Sequence, residues 1–248
     1  MHTKRMIVGT AATMALFGAM AVPAFAASVY PTGTSGYDIS YNATSPYPSS
    51  PFGFGVVGVT HGKAFTYNNN LTAEFSWASQ GSATGPTLYM NLNAPVGTTA
   101  KTYESGPIAC PKGKAGGICQ AHNYGWNAAQ DAFNYATVQG AKATTWWLDI
   151  ETANSWSGNL STNQATIQGA IDFLHSENVT VGAYSTPGMW NAIVGSWAPS
   201  IPEWLADGNN TQAAASSACS NTSFTGIGIW LVQFINKATS PVDQDYSC

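Results

Sequence analysis

Short, continuously apolar segments alternate with segments of helical periodicity along this chain, and that alternation limits the possible folds more than any other feature. Strand-like runs fall at residues 36–40 (GYDIS), 54–59 (FGVVGV), 87–92 (TLYMNL), 145–151 (TWWLDIE), 179–184 (VTVGAY), 202–206 (PEWLA) and 228–234 (GIWLVQF), with an eighth at 243–246 (DQDY). Helical patterns occupy 70–79, with Asn70 or Thr72 as cap, then 124–138, 163–177 and 189–194. In the second, Trp126, Ala129, Phe133 and Ala136 fall near i, i+3 and i+7; in the third, Ile167, Ile171 and Leu174 share a face. Strands separated by helices imply parallel βαβ units, and strands apolar throughout imply a sheet covered on both faces. Eight strands in about 220 residues predict an α/β fold, an irregular (β/α)8-type barrel forming a single domain. An open doubly wound sheet is the alternative; no G-x-G-x-x-G follows the first strand to support it.

The ends of the chain and its cysteines bear on location. Lys4 and Arg5 precede an apolar run at 6–22 and a small-residue site, PAFA, at 23–26. Residues 1–26 therefore read as a secretory signal peptide, and 27–248 as the barrel domain. The run is short for a membrane anchor, and no later segment is apolar enough to span a bilayer, so the expected protein is exported and free of the membrane. Four cysteines, an even number in an exported chain, predict two disulfides. Three pairings are open; Cys110–Cys119, closing a Gly/Lys-rich loop within the excursion at 94–121, and Cys219–Cys248 are the favoured ones. No C-x-x-C spacing suggests zinc, and His61, His122 and His175 are isolated, so no metal and no cofactor is expected.

Charge excludes other functions. Only 8% of residues are charged, against about 25% in an average domain, so Ser, Thr, Asn, Gln and Gly must supply the polar surface. Without the leader the chain has six lysines, no arginine and twelve carboxylates, a net charge of −6. That balance argues against nucleic-acid binding and phosphate clamping. It is also mildly unfavourable for an anionic wall. A monomer is expected.

Three of the twelve carboxylates lie inside apolar strands: Asp38, Asp149 and Glu151. An unpaired charge there is costly and its proton affinity rises. With a period of 2, Asp149 and Glu151 point to one side of their strand and Trp146, Leu148 and Ile150 to the other. In a barrel the acids would face the axis near the C-terminal mouth. Two carboxyls held close split their pKa values, so that one serves as a general acid while the other stays ionised. Glycosidic cleavage, with its oxocarbenium-like transition state, needs that pair. Tyr184 and Trp204, near strand ends, are the aromatic candidates for contacting a sugar, with Tyr89 at the end of the third strand.

The ordered series GYDIS at 36–40, LDIE at 148–151, GAY at 182–184, PEWLA at 202–206, WLVQF at 230–234 and VDQD at 242–245 resembles glycoside hydrolase family 25, the secreted lysozyme-type muramidases with an irregular barrel. The resemblance implies that Glu151 protonates the leaving oxygen. It makes Asp149 the partner that orients or stabilises the substrate's acetamido group or the cationic intermediate. Asp38 then stands as the acid closing the first strand, Asp243 (or alternatively Asp245) as the late Asp, and Gln233 as a mouth residue near the sugar. It also implies a secreted hydrolase of an amino-sugar polymer, most simply peptidoglycan, with or without substrate assistance. A non-catalytic exported barrel that binds wall glycan or a surface partner is the alternative. The sequence departs from the family where an Arg-Ala-Thr segment usually follows the second strand, here Val59, Thr60, His61 and Gly62. It departs again where Tyr-His-Phe usually ends the third, here Tyr89, Met90, Asn91 and Leu92.

Overall fold

The computed structural model describes residues 27–96, 105–111, 117–235, 240 and 242–248; the signal-peptide reading falls on 1–26, outside the described residues. Eight strands close into a barrel in sequence order. They are β1 (Ser35–Ile39), β2 (Gly55–Gly58), β3 (Thr87–Asn91), β4 (Thr145–Asp149), β5 (Thr180–Ser185), β6 (Ile201–Ala206), β7 (Gly226–Phe234) and β8 (Asp243–Ser247). Strands β1 to β7 run parallel, so their C-terminal ends share one mouth. The expectation of all-parallel units fails at β8, which is antiparallel to both β1 and β7. No helix stands between β7 and β8 among the described residues, and a chain turning straight back can only pair antiparallel.

Helices α1 (Leu71–Ala78), α2 (Ile118–Val138), α3 (Leu160–Ser176), α4 (Pro187–Val194) and α5 (Gln212–Ala218) cover β2 through β7. Helix α2 begins six residues before the predicted start, inside the excursion. Helix α5 was not anticipated: its QAAASSA segment offers no large apolar residue to betray a period. Its start is nonetheless marked, since Thr211 Oγ1 accepts from Ala214 N at 3.2 Å. Helix α4 opens with Pro187 at its first turn and Thr186 Oγ1 accepting from Met189 N at 3.0 Å. Helices α2 and α3 cross at two glycines. A Cβ on Gly125 would lie 1.8 Å from Thr166 O, and one on Gly169 2.0 Å from His122 O, so no larger residue fits either position.

The alternation of strand side chains divides the core. Trp146, Leu148, Ile150, Leu88 and Met90 pack outward against helix residues such as Ala129, Ile167 and Ile171. Tyr89, Trp147, Trp204 and Leu231 fill the lumen with Tyr30, Phe54, Val56 and Trp230. Opposite these rings the strands carry glycine: a Cβ on Gly182 would stand 2.2 Å from the Trp147 ring. Both favoured disulfides are present, Cys110–Cys119 and Cys219–Cys248. No helix among the described residues is long and apolar enough to cross a membrane.

Candidate active site

The lumen changes character two residues toward the mouth. In β4, Trp147 is followed on the inner face by Asp149 and, past the strand's end, by Glu151; in β3, Tyr89 is followed by Asn91; in β7, Leu231 by Gln233. Because β8 runs the other way, Asp243 is its residue at the mouth, level with Asp38 of β1, and Asp245 lies one layer deeper, level with Gly36. The structure therefore brings Asp38, Asp149, Glu151 and Asp243 to one end of one lumen. Asp245, which the sequence offered as an alternative to Asp243, stands beneath Asp38 rather than in its place.

Two carboxyl pairs organise the site. Asp149 is 5% exposed and hydrogen-bonded to Glu151, which is half-buried. Asp149 Oδ1 is buried and receives no hydrogen bond from an N–H or O–H group among the described residues. Burial, then the charges of Glu151 and Asp38, push Asp149 well above the usual carboxylate range, and burial raises Glu151 as well. Asp38, 8% exposed, is paired in the same way with the fully buried Asp245. Burial and the nearby charge of Asp243 raise Asp38 to about 7. Burial and the charge of Asp38 raise Asp245 well above the ordinary range.

Neutral donors hold each pair in place. Tyr184 OH donates to Gln233 Oε1 at 2.8 Å, and Gln233 Nε2 donates to Asp38 Oδ2 at 2.9 Å. Trp204 Nε1 donates to Asp245 Oδ1 at 2.7 Å. On the other side Asn91 Nδ2 donates to Asp149 Oδ2, and Thr60 Oγ1 donates to Asn91 Oδ1 at 2.8 Å. Trp156 Nε1 donates to the Glu151 carbonyl at 2.8 Å, fastening the loop after β4.

Two of the expected sugar-contacting residues sit lower than predicted. Trp204 is 2% exposed and Tyr89 7%; both belong to the floor, where their rings meet at 6.1 Å. An aromatic residue near a strand's end reads the same in sequence whether it caps the core or lines a cleft. Tyr184 and Gln233 are at the mouth. Asn91, Thr60 and Trp156 were missed; the period of 2 through Tyr89 was the available signal for Asn91. A polar cavity of about 240 Å³ opens beside the acids, lined by Asp38, Ser40, Asn42, Thr44 and Asp243. A larger one, about 330 Å³, lies on the outer wall near Tyr37, Phe52 and Gln244, on the face of the sheet away from the carboxyls. No group of three His, Cys, Asp or Glu among the described residues is arranged to hold a metal. With its carboxyl pairs the site can hold and move protons above a water-excluding floor.

The family profile described as Lysozyme-like protein 1 matches residues 118–237. Three proteins of Dictyostelium discoideum are similar in part. Probable GH family 25 lysozyme 3 is 38% identical over 79 residues, 31% of this chain and 16% of that protein. Probable GH family 25 lysozyme 4 is 33% identical over 82 residues, 32% of this chain and 38% of its own length. Counting factor 45-1 is 26% identical over 130 residues, 52% of this chain and 39% of that protein. The chain thus spans well under half the length of these relatives. Over these shares and at these identities, the chain is similar to the glycoside hydrolase family 25 lysozymes.

Proposed function

We propose that the protein is a glycoside hydrolase acting outside the cell on an amino-sugar polymer, most simply the peptidoglycan of a cell wall, as a muramidase. The observation that carries this reading is the hydrogen-bonded Asp149–Glu151 pair at the mouth of an aromatic-floored lumen. Glu151 is the more exposed of the two and meets the glycosidic oxygen; Asp149 lies beneath it.

Two hydrogen-bonded carboxyls stand closer together than the roughly 5 Å or more that separates an acid from a nucleophile or base across a glycosidic bond. Asp149 is therefore not the group that attacks from the opposite face. In the reaction proposed here, Glu151 gives its proton to the leaving oxygen as the bond from that oxygen to C1 breaks. The substrate's own acetamido oxygen bonds to C1, and the Asp149 carboxylate steadies the positive charge on the acetamido nitrogen. Water, deprotonated by Glu151, then opens that ring at C1. Asp38 and Asp243, with Gln233 and Tyr184, line the other side of the same mouth and hold the sugar. The two disulfides suit an oxidising compartment, as the leader read from the sequence does.

Incubation with purified peptidoglycan, with product masses as the readout, tests the proposal. Glu151→Gln is expected to lower turnover by roughly 10²- to 10⁴-fold with an unchanged circular-dichroism spectrum. Unchanged turnover in that variant overturns the reading. Glycan binding with no release of reducing ends, equal in both proteins, would make the barrel a binding module.

A further inference from the structure

The third strand ends in Asn91 where the family pattern carries an aromatic residue, and that asparagine touches the acid pair directly. Its orientation is fixed by the chain itself. The backbone N–H of Asn91 donates to Thr60 Oγ1 at 2.9 Å, which occupies a lone pair of the hydroxyl. The hydroxyl's own proton goes to Asn91 Oδ1 at 2.8 Å. With its oxygen committed to Thr60, the side-chain amide has only its NH₂ to turn toward the lumen, and Asp149 Oδ2 receives it. Both residues are buried, Thr60 1% exposed and Asn91 8%, so no solvent competes for these groups.

A hydrogen bond donated to a carboxylate favours its ionised form. Donation to Oδ2 therefore favours Asp149 as the acceptor of the pair. Burial and the hydrogen bond to Glu151 work in the opposite sense: both raise the proton affinity of the deeper Asp149, and the same hydrogen bond lowers that of Glu151. The amide opposes both effects, and without it Asp149 would hold the shared proton more tightly and Glu151 would face the substrate ionised more of the time. We propose that Asn91, oriented by Thr60, is a positioning residue that biases the proton shared by Asp149 and Glu151 toward Glu151. The inference rests on the hydrolase reading for its use and on the hydrogen bonds for its existence. The other titratable groups facing the pair are Asp38 from β1, Tyr89 from β3 and Tyr184 from β5; all three are left in place by the variants below.

The test uses the full chain and its Asn91→Leu, Thr60→Val and Thr60→Ser variants. Carbon-detected NMR follows the side-chain carboxyls through a pH titration, with Glu151→Gln to assign the Glu151 resonance. In Asn91→Leu the Glu151 midpoint is expected to fall by about one unit and that of Asp149 to rise. On purified peptidoglycan, kcat is expected to fall by about 10- to 100-fold with KM within about twofold, and the alkaline limb of kcat moves to lower pH. Thr60→Val moves the Glu151 midpoint in the same direction and Thr60→Ser, which keeps the hydroxyl, does not; this pair decides the matter if Asn91→Leu fails to fold. A Glu151 midpoint unmoved by the loss of the donor overturns the proposal even if the wild type cleaves glycan. Shifted midpoints in a protein that cleaves no glycan uphold the proton placement and remove the hydrolase reading instead.

Discussion

The floor and the mouth of the lumen are built from the same strands, two residues apart, and they do opposite things. The floor is Tyr89, Trp147, Trp204 and Leu231. Trp147 and Trp204 meet edge to face at 5.8 Å, and Tyr184 reaches down to Trp204 at 4.6 Å. The mouth, one step along, is Asn91, Asp149, Gln233 and Asp38. The floor keeps water away from the underside of the acids, and that exclusion is what raises their proton affinities. In this barrel the aromatic filling is a condition of the chemistry above it, and each layer can be broken separately.

The largest effect is expected from the floor. Trp147 is wholly buried and touches Tyr30, Trp204 and Trp230. Trp147→Ala leaves a cavity that Gly182 has no side chain to fill, and the expected loss is about 3–5 kcal/mol in urea denaturation. If the floor also sets the electrostatics of the mouth, water admitted through that cavity lowers the titration of Asp38 toward the ordinary carboxylate range, measurable by NMR. An unfolding free energy within about 1 kcal/mol of the wild type would show that the aromatic layer is filler rather than a support.

The layering explains what could be read from the sequence. The first seven strands were legible because each is short and largely apolar, and the side of β4 that carries Asp149 followed from its period of 2. Direction was not legible at β8: DQDY says inward and outward but nothing about which way the chain runs. Depth was not legible either, which is why Tyr89 and Trp204 were placed one layer too high. Asn91 was passed over because an asparagine closing an apolar strand also reads as the first residue of a loop. Its partner Thr60 comes from the end of β2, and only closure of the sheet brings the two together. The crossing of α2 and α3 was hidden for a related reason. Gly125 and Gly169 lie inside helices, where glycine alone argues against the element.

Acids outside the lumen sharpen the comparison by pH. Asp38 in the mouth and Glu74 in the shell, where Asn68 Nδ2 donates to its Oε2 at 2.6 Å, are both raised by burial to about 7. Each binds a proton more tightly folded than unfolded, so its contribution to stability is complete below about pH 4 and is lost as pH rises through about 7. Stability is expected to fall across that window by on the order of 2–3 kcal/mol for each group. Urea titrations at a series of pH values measure the slope. Glu74→Gln removes the shell's share and leaves kcat against pH untouched; Asp38→Asn removes the lumen's share and alters both. A slope that survives both substitutions would place the titrating groups elsewhere.

The smallest effect is expected at the far end of the floor, where Tyr30 closes the bottom of the barrel. Its hydroxyl bonds Thr87 Oγ1 at 2.7 Å and accepts from Trp147 Nε1 at 3.1 Å, so one oxygen ties the N-terminal segment to β3 and β4. Tyr30→Phe keeps the ring, its 4.6 Å contact with Phe54 and the packing, and removes only the hydroxyl. Thr87 is free to find another partner by rotating its hydroxyl, but the indole N–H of Trp147 is fixed by the ring and is left buried without one. The expected cost is about 1–2 kcal/mol, read as a lower urea midpoint at unchanged slope. The acids at the mouth are two layers away and share no hydrogen bond with Tyr30, so glycan turnover at a temperature well below the transition should stay as it was. A drop in kcat with little change in stability would mean that the two layers are mechanically coupled through Trp147, and that the division between a supporting floor and a reactive mouth is wrong at its lowest point.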